Sequence, residues 1–235
     1  HDLSFMHDPS YYSIKRRLWH YFVQIERLLK RADKLIAVSQ NTKDDLLRFV
    51  PQVSEKQIRV IYPEASMLVE NTPSLGRTDM KGKNYIVYVG TLEPRKNVPS
   101  IIRAFQNVAA EYPDLSLVIA GAYGWASRST IKMIRDDNRI QWLRYVSEAD
   151  KSALYSNAAA FVWPSFYEGY GFPPLEALGS GVPVITSHRT SLPEILRDKA
   201  FYVNPFNHAE LSRVIKEVLA NGKTRSESLP PDMNH

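Results

Sequence analysis

Residues 163–181 read Trp-Pro-Ser-Phe-Tyr-Glu-Gly-Tyr-Gly-Phe-Pro-Pro-Leu-Glu-Ala-Leu-Gly-Ser-Gly, and this stretch decides the fold. The apolar run 158–163 before it reads as a buried strand. A glycine-broken loop follows, then a short helix opened by Pro173 and Pro174. Proline suits a helix's first turn, where the backbone N–H has no intrahelical partner. The remaining free amides sit at the positive end of the helix dipole, a ready site for phosphate. Gly169 and Gly171 let a backbone approach a ligand closely. Glu168 and Glu176 bracket the turn with seven residues between them. Such a site suits a ligand that is anionic at one end and rich in hydroxyls elsewhere. A nucleotide sugar has that make-up.

Working outward, residues 84–221 alternate strand-like with helical runs. Strands are predicted at 85–89, 115–120, 140–143, 159–163, 183–186 and 201–203. Helices are predicted near 100–111, 130–136, 149–156, 175–178, 192–196 and 209–220. Continuous apolar strands alternating with helices indicate an α/β fold with a parallel sheet covered on both faces. Ligands in such sheets bind beyond the strands' carboxyl ends. The loops after Val89, Ala120, Leu143 and Trp163 are therefore expected to share one rim.

Residues 1–66 read differently. Ile14, Leu18, Tyr21, Phe22, Ile25, Leu28 and Leu29 recur at helical spacing and predict one long helix. Lys15, Arg16, Arg17, Arg27, Lys30 and Arg31 make its remainder basic. Such a helix can lie on a membrane surface; packing of its stripe on a core is the preferred expectation. A strand at 35–38, a helix at 41–49 capped by Ser39 or Asn41, and a strand at 58–61 follow. Two strands cannot form a domain alone, so 1–66 reads as the end of a larger one. Residues 67–83 read as a linker and 222–235 as a disordered tail.

Composition narrows the classes. The chain has 235 residues, a formal net charge of +5 and no cysteine. Disulfides, thiolate metal sites and cysteine nucleophiles are thereby excluded. The basic balance favours acidic ligands or an anionic surface. Nucleic acid is not expected as a partner, because there is no zinc-finger spacing, RNP-like motif or long basic arm. No apolar run is long enough to span a bilayer and no signal-peptide pattern opens the chain. A cytoplasmic location is expected, with peripheral contact at the membrane's inner face as a variant.

Four motifs carry a resemblance: 88–97 (Tyr-Val-Gly-Thr-Leu-Glu-Pro-Arg-Lys-Asn), 117–121 (Leu-Val-Ile-Ala-Gly), 145–148 (Tyr-Val-Ser-Glu) and Glu168 through Glu176. Across residues 1–221 the chain resembles the retaining GT-B glycosyltransferases of group 1, or family 4. The last motif is similar to the family's Glu-x7-Glu signature. The resemblance implies two Rossmann-like domains across a cleft. Residues 84–221 would be the nucleotide-sugar donor domain and 1–66 the last part of the acceptor domain. Within the family, 90–97 and 169–176 most resemble bacterial mannosyltransferases of polysaccharide assembly. That implies GDP-mannose as donor, a UDP-sugar as second choice, and a glycan or lipid-linked acceptor.

The resemblance also implies roles. Lys96 would contact the diphosphate, and Arg95 would replace an arginine the family places where this chain has Thr91, next to Gly90. Glu168 would contact the transferred sugar's hydroxyls and Glu176 the ribose. Gly169, Tyr170, Gly171, Phe172 and Leu175 would line the donor. Tyr145 and Val146 would meet the base, and His1 would reach the cleft near the sugar and its phosphate. Gly121 would let a ligand or a neighbouring loop come close. No metal and no cofactor beyond the substrate nucleotide are expected. Rival readings are a donor-binding fragment without activity, a glycosidase carboxylate pair, a phosphorylase needing pyridoxal phosphate, and a nicotinamide enzyme. The last lacks any Gly-x-Gly-x-x-Gly after a strand.

Overall fold

The computed structural model describes residues 1–63, 80, 82–125 and 127–221. The expected tail, and all of the expected linker except residues 80, 82 and 83, lie outside these. The first segment forms α1 (Ser4–His7), α2 (Ile14–Val23), α3 (Ile25–Arg31), β1 (Leu35–Ala37), α4 (Gln40–Phe49) and β2 (Ile58–Val60). β1 and β2 are parallel, with Leu35 opposite Ile58. Leu3, Ala37, Leu46, Val50, Val53 and Ile58 make a small core. Two strands cannot cover both their faces, and Ile36 is 68% exposed.

Two expectations are corrected here. The pattern over 14–29 does not make one helix. Gln24 adopts a left-handed φ of 50°, and its amide closes the first helix on the Tyr21 carbonyl, so α2 and α3 are separate. Nor does the stripe pack on a core. No residue of α2 is buried, and Ile14, Leu18, Tyr21 and Phe22 are all more than half exposed. The small core takes only Leu29 from this pattern.

The second segment begins with β3 (Tyr85–Val89), α5 (Val98–Ala109), β4 (Ser116–Ala120), α6 (Arg128–Asp136) and β5 (Ile140–Arg144). It continues with α7 (Glu148–Asn157), β6 (Ala160–Trp163), α8 (Phe172–Gly179), β7 (Val184–Ser187), α9 (Leu192–Leu196), β8 (Phe201–Val203) and α10 (His208–Asn221). Each strand lies where its apolar run predicts. α5 starts earlier than predicted, because Pro99 fits a first turn. α8 also starts earlier, with Pro173 and Pro174 inside its opening turn. Ile101, Ile102, Phe105 and Val108 of α5 recur at helical spacing and are buried, with α10 packed alongside.

The sheet is wholly parallel, in the order β5-β4-β3-β6-β7-β8. Every residue of β3, β6 and β7 is buried, as a sheet covered on both faces requires. The chain runs outward from β3 to β5, then returns to β6 on the other side of β3. Strand order reverses between β3 and β6, and the loops leaving them open a crevice. Residues 90–97 and 164–171 are those loops.

The first segment docks on this crevice. Ser39 Oγ donates to the Gly169 carbonyl at 2.7 Å, and Thr42 Oγ1 does so at 3.3 Å. Tyr167 donates to Asp45 at 2.5 Å, and Tyr170 to the Pro63 carbonyl at 2.9 Å. Glu194 accepts the Gln40 and Asn41 amides at the start of α4. Ser39 is fully buried and also accepts the Thr42 amide, as N-cap of α4. Ser39→Ala removes both bonds at once and is expected to cost about 1–3 kcal/mol of stability. Urea denaturation measures this; a change below about 0.5 kcal/mol would show that the dock contributes nothing.

Candidate functional site

The loop after β3 turns at Gly90, which is pressed from two sides. A Cβ on Gly90 would lie 2.6 Å from the Trp163 ring. A Cβ on Gly121, whose φ is +153°, would lie 2.0 Å from the Gly90 carbonyl oxygen. Gly121 thus admits a neighbouring loop. Beyond Gly90, Pro94–Lys96 form one 3₁₀ turn that aims Arg95 and Lys96 at the loop after β6.

There they meet Glu168. Lys96 Nζ donates to Glu168 Oε1 at 2.8 Å and Oε2 at 2.9 Å. Arg95 Nη1 donates to Oε2 at 3.0 Å, and Trp163 Nε1 to Oε1 at 3.0 Å. Arg95 Nη2 reaches Glu93 Oε1 at 3.0 Å. Lys96, Glu93 and Glu168 are buried. Two cations and two carboxylates therefore balance with little contact with water. Burial pushes the Glu168 carboxyl up, but Lys96 and Arg95 outweigh this and hold it below the usual carboxylate range. Burial also works against Arg95, yet Glu168 and Glu93 raise its guanidinium above its ordinary value. For Lys96, burial prevails: its ammonium is lowered, with Glu168 opposing and Arg95 reinforcing the shift. Arg95 Nε is buried with no hydrogen-bond partner among the described residues.

The loop bearing Glu168 is pinned from behind. The Glu168 amide donates to Thr190 Oγ1 at 2.9 Å. Ser191 Oγ donates to the carbonyls of Glu168 and Tyr170, each at 3.0 Å. Gly171 has a φ of +107° and begins α8 as its N-cap. No described residue accepts from the amides of Gly169, Gly171 and Phe172. Gly171 and Phe172 stand at the start of α8, where the dipole is positive.

Glu176, one turn into α8, has different company. Lys151 Nζ lies 3.0 Å from its Oε2, and Tyr155 donates to the same oxygen at 3.2 Å. Lys151 also pairs with Glu148 at 2.8 Å.

The remaining expected residues divide. The carbonyl of His1 packs on Gly169, where a Cβ would come within 2.2 Å of it, so His1 stands next to the Glu168 loop. Thr91 is exposed, and its carbonyl accepts from Tyr88 at 3.0 Å. Tyr145 is 84% exposed and Val146 half-buried on the loop after β5. Leu175 is in the core and its amide donates to the Gly171 carbonyl. Tyr170 is buried, with its hydroxyl donating to the Pro63 carbonyl. Residues that pattern reading missed include Glu93, Thr190, Ser191, Lys151 and Tyr155. Glu93, two residues before Arg95, carried a visible signal; Thr190 and Ser191 carried none.

Glu168→Gln strips the carboxylate partner from Lys96, leaves Arg95 with Glu93 alone, and is expected to cost about 3–5 kcal/mol at neutral pH. Because the folded carboxyl is depressed, its contribution is complete above the unfolded value of about 4.3 and is lost as pH falls through the lower folded value. The stability difference between the two chains should therefore shrink in acid. Denaturation curves across pH check this; a gap that stays constant into acid contradicts it.

Residues 77–228 match the family model described as "Glycosyl transferases group 1". The chain is 30% identical over 237 residues to the O-antigen chain mannosyltransferase B of Escherichia coli, covering 96% of this chain and 61% of that protein. It is 30% identical over 221 residues to the O-antigen chain mannosyltransferase RfbU of Salmonella typhimurium, covering 91% and 59%. The chain thus spans about three fifths of the length of these relatives. In structure it is similar to Anabaena HepE, solved with UDP and glucose, with a TM-score of 0.69 and 18% identity over 93% of this chain and 62% of that one. It is also similar to TarM, with a TM-score of 0.67 and 19% identity over 83% of this chain and 39% of that one. The fold is α/β of the GT-B type, and the chain belongs to the group 1 glycosyltransferases.

Proposed function

We propose that the chain forms the donor side of a retaining hexosyltransferase, which moves mannose from GDP-mannose to a glycan or lipid-linked acceptor in polysaccharide assembly. One observation carries this reading: Arg95 and buried Lys96 meet Glu168 at the switch point, on the loop that leads into the N-terminus of α8. Relatives named as O-antigen chain mannosyltransferases support the choice of sugar and product class. A UDP-sugar is the competing donor.

Glycosyl transfer breaks the bond between the anomeric carbon and the diphosphate. Negative charge grows on the leaving group, and prearranged donors there are the largest catalytic asset. Arg95, Lys96 and the α8 amides are those donors, with the unpartnered Arg95 Nε in reserve. Glu168 holds both cations while the crevice is empty of substrate. The incoming diphosphate replaces it as counter-anion, and the released carboxylate turns to the sugar's hydroxyls. His1 borders the same space. Glu176 takes the ribose, and Tyr145 and Val146 take the base. Charge on the leaving group is balanced by side chains and amides, with no metal in the scheme.

Calorimetry with GDP, UDP and GDP-mannose tests the scheme. Lys96→Ala should weaken all three through loss of a charge-assisted contact of about 1.5–3 kcal/mol. Glu176→Ala should weaken free nucleotide and nucleotide sugar alike. Glu168→Ala should leave GDP binding equal or tighter, since no displacement is then needed, while turnover falls about 10²–10³-fold. Equal weakening of GDP by the two glutamate variants would refute separate roles. An inverted anomeric configuration in the product would refute retention.

The exposed apolar stripe of α2 and α3, flanked by six cations and only Glu26 as an acid, favours contact with an anionic bilayer. Among the described residues no helix is long and apolar enough to cross a membrane. Sedimentation with phosphatidylglycerol vesicles should carry the chain down, and Leu18→Ser with Phe22→Ser should release it. Equal sedimentation of both would contradict this contact.

A further inference from the structure

We infer that Lys151 and Tyr155 are positioning residues that orient Glu176 toward a ribose diol, and that through them the chain distinguishes ribonucleotides from 2′-deoxyribonucleotides. The inference rests on the ribose role of Glu176 proposed above. Lys151 and Tyr155 stand four residues apart on α7, one above the other on the same helix face. Both approach a single oxygen of Glu176, Oε2, at 3.0 and 3.2 Å. No described residue donates to Oε1. A carboxylate has about four lone-pair sites, two on each oxygen. The pair on Oε2 is taken, and the pair on Oε1 is left for two adjacent hydroxyls.

The arrangement settles the rotamer before a ligand arrives. A glutamate free to rotate would lose that freedom on binding, whereas one held by two donors has already lost it. Tyr155 is fully buried, so its hydroxyl requires an internal acceptor, and Glu176 is that acceptor. Burial, reinforced by the charge of Glu176, raises the Tyr155 hydroxyl well above its usual range and keeps it a donor. Lys151 is largely buried while its outer partner, Glu148, has a side chain 70% exposed. Burial opposes the Lys151 charge, but its bonds to Glu148 and Glu176 raise it above the ordinary value. One ammonium thus spans two carboxylates and reduces their repulsion of a nearby diphosphate.

The test is calorimetry on the full chain with GDP, 2′-deoxy-GDP, UDP and 2′-deoxy-UDP. The unmodified chain should prefer one ribonucleotide over its deoxy form by about two- to tenfold, the worth of one hydrogen bond. Glu176→Ala should abolish that ratio. Lys151→Met and Tyr155→Phe should each lower it, and Lys151→Arg, which can still span both carboxylates, should preserve it. A merely structural role would weaken ribo and deoxy forms alike and leave the ratio unchanged, which overturns the inference. If Glu176→Ala removes the ratio and the Lys151 and Tyr155 variants do not, only the positioning inference falls. If Glu176→Ala leaves the ratio intact, or none of the four nucleotides binds, the ribose reading falls and takes this one with it. Should Lys151→Met fail to fold, Tyr155→Phe, which removes a single oxygen, decides the matter.

Discussion

A carboxylate shared by two cations, buried Lys96 and largely buried Arg95, is the constraint on which the site depends. Lys96 and Arg95 lie within a water-poor crevice between β3 and β6, and charges there are costly unless paired. Glu168 satisfies both, and with Trp163 it fills every acceptor position of its carboxylate. An enzyme that must bind a diphosphate needs cations in a dry place and needs them charged before the ligand arrives. An internal anion that yields to the ligand's phosphates answers both needs. In the proposed scheme the same saturation keeps Glu168 from receiving a sugar hydroxyl until its partners have been taken over.

The loop carrying Glu168 is held on three sides. Ser39 and Thr42 from the first segment fix the Gly169 carbonyl, Thr190 fixes the Glu168 amide, and Ser191 bridges two carbonyls. These are short polar side chains on buried backbone, and backbone groups buried there must be paired. The result is a glycine loop with little freedom, although glycine is chosen for freedom. Gly171 uses its freedom for a left-handed start to α8, and Gly169 for close contact with His1. Contact between the two segments therefore holds the turn between the two glutamates.

The two glutamates of one motif occupy contrasting environments. Glu168 is enclosed by full cations and the indole of Trp163, whereas Glu176 is touched by described residues on one oxygen alone. Seven residues separate them in sequence, but their partners lie on different elements. Glu168 draws on the loop after β3, and Glu176 on α7, which leads into β6. In the proposed function this division gives phosphate chemistry and ribose recognition to different neighbours.

Sequence by itself determined the layers and the rim. Alternating apolar runs and helical patterns place six parallel strands, because a strand buried on both faces must be apolar throughout. Pro173, Pro174 and Ser39 marked helix starts through local backbone chemistry alone. Arg95, Lys96, Glu168 and Glu176 were legible as charges next to such starts. Local pattern could not say which charge neutralises which. Lys96 and Glu168 lie 72 residues apart, and only the return of the chain from β5 to β6 brings them together. The same holds for Lys151 with Glu176, for Ser191 beneath the loop, and for the bare stripe of α2. Periodicity reports that a helix has an apolar face, and tertiary packing decides whether anything covers it.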